Sequence, residues 1–376
     1  MDRLSRDGSA SPQIGHSVLA PPESAATVAT LQRSALRESL WLRRMLCKSD
    51  HQGRVTHGDP NVSAPGACLG LFTLLSRCVS LGTIALAVGI ADVKAQEAEP
   101  RSYSNTPVGL NFLIAGYVYA QGKLAFDPNL SIADANFHSN TGVLAYVRSF
   151  DFAGQSAKFD VIVPGASFDA QGFVNGLPRE RQMAGLGDPR FRFSFNLFGA
   201  PALSAKDFAS YQQDLIVGVS LQVSAPLGQY DNTKLLNLGS NRWSFKPELG
   251  ISKAWGPWTF EVAPSVTFFS DNTDFLGGNR FAQAPIYAVQ AHLLYTFQSG
   301  VWIALDGIYF AGGHTTLNGV KSDNEQRNTR AGFTLALPID RRNSLKFSAS
   351  TGISTRTGSE FSAAGIAWQY RWGEGY

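Results

Sequence analysis

The sequence predicts an all-β protein, a transmembrane antiparallel up-and-down β-barrel of about 12 strands with short periplasmic turns and long external loops. Three observations predict this fold. Residues 96–376 repeatedly alternate apolar and polar side chains with the period of two that strands impose. The polar face of these runs is small and weakly charged, and the connections alternate between long and short. Only helices and closed barrels satisfy every backbone polar group in hydrocarbon, and this region contains no convincing amphipathic helix.

The composition excludes several classes of protein. Only 16% of the 376 residues are charged, against roughly 25% in soluble globular domains. The net charge is +3, and residues 96–376 hold 22 basic and 22 acidic residues, so we expect no nucleic-acid partner. All three cysteines precede residue 96, so the barrel region folds without disulfides or thiolate metal ligands.

The first 95 residues differ from the rest and divide into two segments. Residues 1–66 lack a sustained apolar period, so we interpret them as a poorly structured leader or an over-extended gene start. Residues 67–95 have the pattern of a signal peptide, with Arg77 as the positive flank, Val79–Ala91 as the apolar region and Val93-Lys94-Ala95 as the cleavage site. A membrane anchor is the alternative, but a charge such as Arg77 at the bilayer centre costs at least ~2.5 kcal/mol. We therefore expect cleavage to release the barrel region.

The stretch Tyr287–Phe297 illustrates the strand pattern. Its apolar face carries Tyr287, Val289, Ala291, Leu293, Tyr295 and Phe297. Its other face carries Gln290, His292 and Thr296. A face of Gly, Ser, Thr and Gln suits a water-filled lumen, and an apolar face ending in aromatic residues suits a lipid-facing wall. The strands predicted in this way are 108–119, 141–152, 156–165, 188–198, 211–225, 241–254, 256–270, 284–298, 300–311, 328–338, 344–353 and 360–372.

The predicted connections support the same fold independently. Those after the second, sixth, eighth and tenth strands are short, whereas the long ones lie near 120–140, 166–187, 226–240, 271–283 and 312–327. Outer-membrane barrels alternate in this way, with short periplasmic turns and longer external loops. Two connections deviate. Gly199–Ser210 is long for a periplasmic turn, so we expect a helical turn there, and Ser354–Ser359 is short for an external loop.

The C-terminal strand carries Trp368, Tyr370 and Trp372 at alternate positions, and the chain ends at Tyr376. A closing strand with an aromatic end suits recognition by the barrel-insertion machinery. We therefore expect that machinery and membrane lipid to be partners of the barrel.

Several motifs between residues 185 and 372 resemble a known family. They are Gly185-Leu-Gly-Asp-Pro189, Asn196–Leu203, Ala225–Asp231, Asn237–Glu248, Gly312-Gly313 and Trp368–Gly373. On these motifs the chain is similar to the outer-membrane β-barrel family named for proteins of the meta-cleavage pathway of phenol degradation. The resemblance implies a transporter-like barrel in the outer membrane of a Gram-negative bacterium, linked to the degradation of aromatic compounds. It supports the fold and the location more strongly than any particular solute.

A set of charged or ionisable side chains falls on the predicted inward face and supplies the candidates for a lumen constriction. They are Arg190, Arg192, Lys246, Glu248, Glu261, His292, Asp306, Arg330, Lys346 and Arg371. Such side chains sort solutes by charge and size where a pore narrows. Because their signs are nearly balanced, they are also consistent with ion pairs across the lumen that hold the barrel round.

A set of phenylalanines falls in the predicted external loops. They are Phe126, Phe137, Phe168, Phe173, Phe275 and Phe281. They would form an apolar mouth for hydrophobic solutes or pack the loops over the barrel, and the sequence favours neither interpretation.

Catalysis and metal binding find little support. His138 and Ser139 invite comparison with barrel lipases, but neighbours in an extended strand face opposite ways. His292, Asp306 and Glu261 would hold a metal only if neighbouring strands placed them at one height, and a neutral lumen histidine is more ordinary. We therefore expect no catalytic residue, no metal and no cofactor.

The sequence thus predicts an outer-membrane channel that passively admits small hydrophobic or aromatic compounds, without catalysis. The first alternative is a closed barrel with a structural or adhesive role. The second is an outer-membrane hydrolase of lipids or esters.

Overall fold

The computed structural model describes residues 99–125, 132–174 and 176–375. The predicted leader (1–66), the predicted signal peptide (67–95) and Phe126 lie outside these described residues. No helix within the described ranges has the length and apolarity needed to cross a membrane.

Strands make up most of the described chain. They are β1 (Leu110–Ala125), β2 (Ile132–Phe152), β3 (Gln155–Val174), β4 (Leu177–Leu186), β5 (Arg190–Phe198), β6 (Leu215–Ser224), β7 (Ser244–Trp255), β8 (Trp258–Phe269), β9 (Asn272–Phe275), β10 (Asn279–Gln283), β11 (Ile286–Thr296), β12 (Trp302–Gly312), β13 (Thr315–Leu317), β14 (Val320–Lys321), β15 (Gln326–Pro338), β16 (Asn343–Ser354) and β17 (Gly358–Gly373). A 3₁₀ turn at Asp207–Ser210 confirms the helical turn predicted between β5 and β6.

Twelve of these strands form a closed antiparallel ring in the order β2-β1-β17-β16-β15-β12-β11-β8-β7-β6-β5-β3, and β3 pairs with β2 to complete the circle. The first and last strands pair along their whole length, from Leu110 opposite Gly373 to Ala125 opposite Gly358. Every other pair joins ring strands that are consecutive when β4, β9, β10, β13 and β14, which lie outside the ring, are left out. The structure therefore confirms the predicted up-and-down barrel and its strand number.

The remaining strands extend one end of the ring. β4 lies in line with β5, because both pair with β3. β4 pairs with its C-terminal half and β5 with its N-terminal half. Strands β9, β10, β13 and β14 form a separate four-stranded sheet built from the connections that follow β8 and β12. We call this end of the barrel the long-loop end and the opposite end the short-turn end.

Strands β1 to β3 are longer than predicted, because β2 has 21 residues and β3 has 20, whereas about 9–11 residues cross a bilayer. The predicted long loops at 120–140 and 166–187 are therefore wrong over most of their length. Along the chain, only residues 126–131 separate β1 from β2, and only residues 175–176 separate β3 from β4. Beyond the hydrocarbon a strand has water on both faces, so it loses the alternation by which sequence analysis detects it.

The other connections keep the predicted alternation of length, although the predicted loops at 271–283 and 312–327 contain the strands of the four-stranded sheet. Strands β7 and β8 are joined by Gly256-Pro257, where Gly256 has a φ of 56°, as the first central residue of a type II′ hairpin turn requires. At the long-loop end, residues 225–243 join β6 to β7, and the connection between β16 and β17 is short.

The outer face carries an apolar belt bordered by aromatic rings. Leu305, near the middle of the belt, is 62% exposed. Exposed rings near the short-turn end are Trp255, Trp258, Phe297 and Trp368, and those near the long-loop end are Trp243, Phe268, Tyr287 and Tyr309. From Trp258 to Phe268 along β8 the rise is ~33 Å, or ~25 Å after a strand tilt of ~40°. This height equals that of the lipid-facing band of outer-membrane barrels.

The inner face has the opposite character. Among the described residues, 21 buried side chains are polar or charged and 18 are hydrophobic, and 11 of the hydrophobic ones are alanines. The molecule therefore lacks the large apolar core of a soluble β-sandwich and instead exposes its apolar surface outward.

Candidate functional site

The lumen contains a cavity of about 650 Å³ that opens toward the short-turn end. Trp302 and Arg342 line its lower part, and Val118 and Arg330 line its upper part, toward the long-loop end. Strands from around the ring contribute to its wall, so the cavity follows the axis of the barrel.

Residues 99–109 precede β1 and lie inside the barrel, and we call them the lumenal segment. Its C-terminal end is fixed at the short-turn end, where the Gly109 N–H donates to the Ser149 carbonyl and the Ser149 hydroxyl donates to the Pro107 carbonyl. Further in, Lys158 donates to the Ser102 carbonyl at 2.6 Å. The segment therefore crosses the lumen rather than hanging into the solvent.

Tyr103 anchors the middle of the lumenal segment and is only 5% exposed. Its ring lies against Gly218 on β6 and Gly250 on β7, which are directly paired across the two strands. The Tyr103 hydroxyl donates to Glu248 at 2.9 Å and contacts the Ser220 hydroxyl at 3.1 Å. Burial and the neighbouring Glu248 carboxylate raise the pKa of Tyr103, so the phenol stays protonated and keeps its role as donor.

Arg101 fixes the segment to another part of the wall. Its backbone N–H donates to Glu261 Oε2 at 2.7 Å. Its guanidinium donates to the Thr296 hydroxyl and lies 4.9 Å from the ring centroid of Trp302, near the short-turn end. A cation above an indole ring is attracted to the negative face of the ring.

Glu99 links opposite walls of the barrel. Its carboxylate lies 2.8 Å from Lys346 Nζ on β16 and 3.7 Å from Arg192 Nη2 on β5, and Arg192 in turn pairs with Asp160 on β3. The strands β16 and β5 lie almost opposite one another in the ring. Attraction to Lys346, which outweighs the cost of burial and is reinforced by Arg192, lowers the pKa of Glu99 to about 2.

The structure places the predicted lumen candidates on the strands of the ring. Eight of them line the cavity, namely Arg190, Arg192, Lys246, Glu248, Asp306, Arg330, Lys346 and Arg371. Glu261 and His292 are buried at 5% and 3% exposure and bond with neighbouring groups.

Most of the polar contacts of these residues run along one wall rather than across the lumen. Glu248 accepts from Gln290 at 2.9 Å and lies 3.3 Å from Lys246. Asp306 contacts His292 Nδ1 at 2.7 Å and accepts from Thr334 at 2.7 Å. The cross-lumen bridge that sequence analysis considered is present, but it passes through Glu99.

The histidine–carboxylate cluster does not form a metal site. Glu261 accepts from Ser252 at 3.0 Å and from the Arg101 backbone, so both of its oxygens are engaged within the protein. Across the described part of the chain, no group of three or more His, Cys, Asp or Glu residues is placed to hold a metal ion.

A cluster of inward-facing aromatic side chains lies nearer the long-loop end. Along one row of the wall, Phe361 on β17 stands beside Gly122 on β1, and Gly122 stands beside Phe137 on β2. The rings of Phe137 and Phe361 meet edge to face at 5.5 Å, and the Arg330 guanidinium lies 4.5 Å from the Phe361 ring centroid. Two aromatic rings and a cation therefore face the lumen together.

The prediction that Phe137, Phe168 and Phe173 lie in external loops is wrong, because Phe137 belongs to β2 and the other two to β3. Phe173 points outward and is 43% exposed. Phe275 and Phe281 do lie at the long-loop end, on β9 and β10, where their rings stack at 4.8 Å. Stacking of this kind favours a packing role for those two rings.

The predicted loop at 120–140 placed His138 and Ser139 in a loop, but the structure places both in β2. His138 is exposed and Ser139 is buried at 3%, which fits opposite faces of one strand. The pair therefore lacks the geometry of a nucleophile and its base.

Sequence analysis missed the lumenal segment. Its residues follow the predicted cleavage site and precede the first alternating run, so they show neither strand nor helix periodicity. The available signal was chemical: Glu99, Arg101 and Tyr103 place two charges and a phenol within five residues, next to a barrel whose predicted inward face carries ionisable partners.

The chain resembles known proteins in both sequence and fold. Residues 118–370 match the family model described as "Putative MetA-pathway of phenol degradation". Among solved structures, the chain is similar to the COG4313 outer membrane channel from Pseudomonas putida F1, with a TM-score of 0.62 and 19% identity over 73% of this chain and 100% of that chain. No curated protein matches the chain in sequence.

Two autotransporter barrels show a more distant likeness. The transport unit of AIDA-I from Escherichia coli has a TM-score of 0.45 and 8% identity over 73% of this chain and 94% of that chain. The translocator domain of NalP from Neisseria meningitidis has a TM-score of 0.41 and 10% identity over 75% of this chain and 95% of that chain.

Proposed function

The chain belongs to this phenol-degradation family and forms an outer-membrane β-barrel of a Gram-negative bacterium, and we propose that it is a passive channel for small hydrophobic or aromatic compounds. In such barrels the short turns face the periplasm and the long loops face outside. A solute would approach between the external loops, pass the ring pair of Phe137 and Phe361, and leave past the lumenal segment.

The observation that carries the proposal is the cavity along the barrel axis. It is large enough for a small ring compound, it is lined by both polar and apolar side chains, and it reaches the periplasmic end. A barrel with a purely structural role has no need of such a space. The phenol-degradation family supports aromatic compounds as the solute class, and we propose no catalytic step.

The lumenal segment favours a second candidate, a barrel closed at rest. Tyr103, Arg101 and Glu99 each bond to different walls, so the periplasmic half of the lumen is narrowed by protein. If these contacts never release, the barrel has a structural or adhesive role instead.

Two measurements test the proposal. The full coding chain would be expressed in a Gram-negative host, recovered from the outer membrane and run in detergent with and without boiling. A shift on boiling is expected for a closed barrel. The protein would then be placed in planar bilayers and in liposomes loaded with benzyl alcohol. Channel currents, together with faster efflux of the solute than from loaded liposomes that lack the protein, support a channel. A folded barrel that shows neither supports the closed alternative.

The first 95 residues are proposed to be removed or absent in the mature protein. Cleavage after Ala95 would leave Gln96 at the N-terminus, three residues before Glu99 in the sequence. Mass spectrometry of the protein recovered from the outer membrane is expected to find Gln96 first, and retention of residues 67–95 would favour the membrane anchor.

A further inference from the structure

One wall of the cavity differs from the rest because it is apolar. Phe112 and Ile114 on β1, Val147 on β2 and Ile162 on β3 all line the cavity, and we call these four residues the apolar panel. Adjacent strands lie ~4.8 Å apart, so a panel across three strands is about 10 Å wide. An aromatic ring can lie flat against a surface of that width.

Arginines border the panel on both sides. Arg371 on β17 is directly opposite Phe112 on β1, and Arg190 on β5 is directly opposite Ile162 on β3. Both arginines line the same cavity as the panel. A guanidinium at the edge of an apolar surface is placed to meet the carboxylate of a ligand whose ring covers that surface.

The charge of the whole cavity also favours an anionic ligand. Nine of its lining side chains are cationic and five are acidic. Three of the acidic groups already bond to the wall: Asp160 pairs with Arg192, Glu248 with Lys246, and Asp306 with His292. An excess of positive charge inside low-dielectric walls raises the local concentration of anions.

We propose that the apolar panel and its bordering arginines bind small aromatic carboxylates, with the ring against the panel and the carboxylate at Arg190 or Arg371. This inference rests on the proposed channel function and narrows its solute class from small hydrophobic or aromatic compounds to aromatic anions. A neutral ring compound gains the contact with the panel alone, whereas an aliphatic anion gains the charge alone. An aromatic carboxylate gains both.

The test uses the protein recovered from the outer membrane, with benzoate, benzyl alcohol and acetate as probes. In bilayers under a KCl gradient, the reversal potential should show preference for chloride over potassium. Benzoate should reduce the chloride current at lower concentrations than benzyl alcohol or acetate do. Calorimetric titration in detergent should rank the three ligands in the same order, and it reports binding even if the pore is closed.

Two variants separate the parts of the site. Arg190→Gln should weaken the binding of both benzoate and acetate, benzoate by about tenfold, because a charge-assisted hydrogen bond is lost. Val147→Thr should weaken benzoate but leave acetate unchanged, because only the ring touches the panel. Arg280→Gln is the matched control, since Arg280 lies at the long-loop end, is 71% exposed and does not line the cavity.

The inference and the channel proposal fail in different ways. Cation preference, or benzyl alcohol binding as tightly as benzoate, would overturn the aromatic-carboxylate site while leaving a channel in place. A barrel that binds benzoate in detergent but never conducts would keep the site and overturn the channel.

Discussion

The ring of Tyr103 occupies the space that any side chain at Gly250 would need, since a Cβ atom at that position would lie 2.1 Å from the ring carbons. Gly250 belongs to β7, and Tyr103 belongs to the segment that precedes the first strand. This contact explains how a segment without regular structure is seated inside the barrel. A pair of facing glycines, Gly250 and Gly218, forms the recess that admits the ring.

Gly250→Ala is therefore expected to displace Tyr103 and with it the lumenal segment. The single-channel conductance in planar bilayers should rise by about twofold or more, because the freed lumen is wider. Gly307→Ala is the matched control, since a Cβ there has its nearest neighbour at 4.0 Å. An unchanged conductance in a properly folded Gly250→Ala barrel would show that the segment does not narrow the pore.

Glu99→Gln is expected to loosen the bridge between Lys346 and Arg192 and to increase the fraction of time the channel spends open. The pH dependence follows from the lowered pKa of about 2 for Glu99, against an ordinary value of 4.5. The contribution of this carboxylate to holding the lumenal segment inside the barrel is fully present above pH 4.5 and is lost as the pH falls through about 2.

Open probability should consequently stay constant from pH 8 to pH 5 in the wild type, as far as Glu99 controls it. Bilayer recordings across that range check the expectation. A rise in open probability near pH 5 would contradict it, because it would require an ordinary pKa. Glu325→Gln is the control, since Glu325 lies at the long-loop end and pairs only loosely with Arg327, at 3.8 Å.

Gly122→Ala is expected to destabilise the barrel by about 1–3 kcal/mol, as overpacking does in other tightly packed sites. A Cβ atom at Gly122 would lie 2.3 Å from the Cβ of Phe361 and 2.4 Å from the Glu360 carbonyl oxygen, so β1 and β17 would have to separate. The urea midpoint of unfolding in detergent measures the effect. If Gly122→Ala unfolds at the same midpoint as Gly307→Ala, β1 and β17 do not approach each other closely at Gly122.

Leu305→Lys is expected to destabilise the barrel in lipid by about 2–4 kcal/mol, because it would put a charge near the middle of the outer apolar belt. Val320→Lys, on β14 at the long-loop end, should cost no more than about 1 kcal/mol. Both side chains are exposed, Leu305 at 62% and Val320 at 73%, so burial within the protein does not distinguish them. Equal effects on unfolding in lipid vesicles would argue against the membrane position of the belt.

Alternation revealed a strand only where the two faces meet different solvents. The run at Tyr287–Phe297 has lipid on one side and the lumen on the other, and the strand predicted at 284–298 exceeds β11 by two residues at each end. Residues 132–140 also belong to β2, but the β2–β3 register shifts between Ala133 and Asn136 and no long apolar row marks one face, so this stretch was assigned to a loop. Periodicity therefore located the membrane-crossing part of each strand rather than the strand itself.

For the candidate site, the sequence predicted the residues on the strands but not their partner in the lumenal segment. Inward positions such as Arg192 and Lys346 follow from the parity of a strand once one apolar face is known. Their shared partner Glu99 does not, because it lies more than ninety residues away along the chain and in a segment without periodicity.

The sequence by itself determined the class of fold, the number of strands in the ring and the faces of the membrane-crossing segments, because those depend on local alternation and on the requirement that backbone groups in lipid be paired. Only the tertiary structure decided what occupies the lumen. The seat of Tyr103, the bridge at Glu99 and the apolar panel between two arginines arise when strands distant in sequence are brought to one height, and that height is fixed by the pairing register around the closed ring.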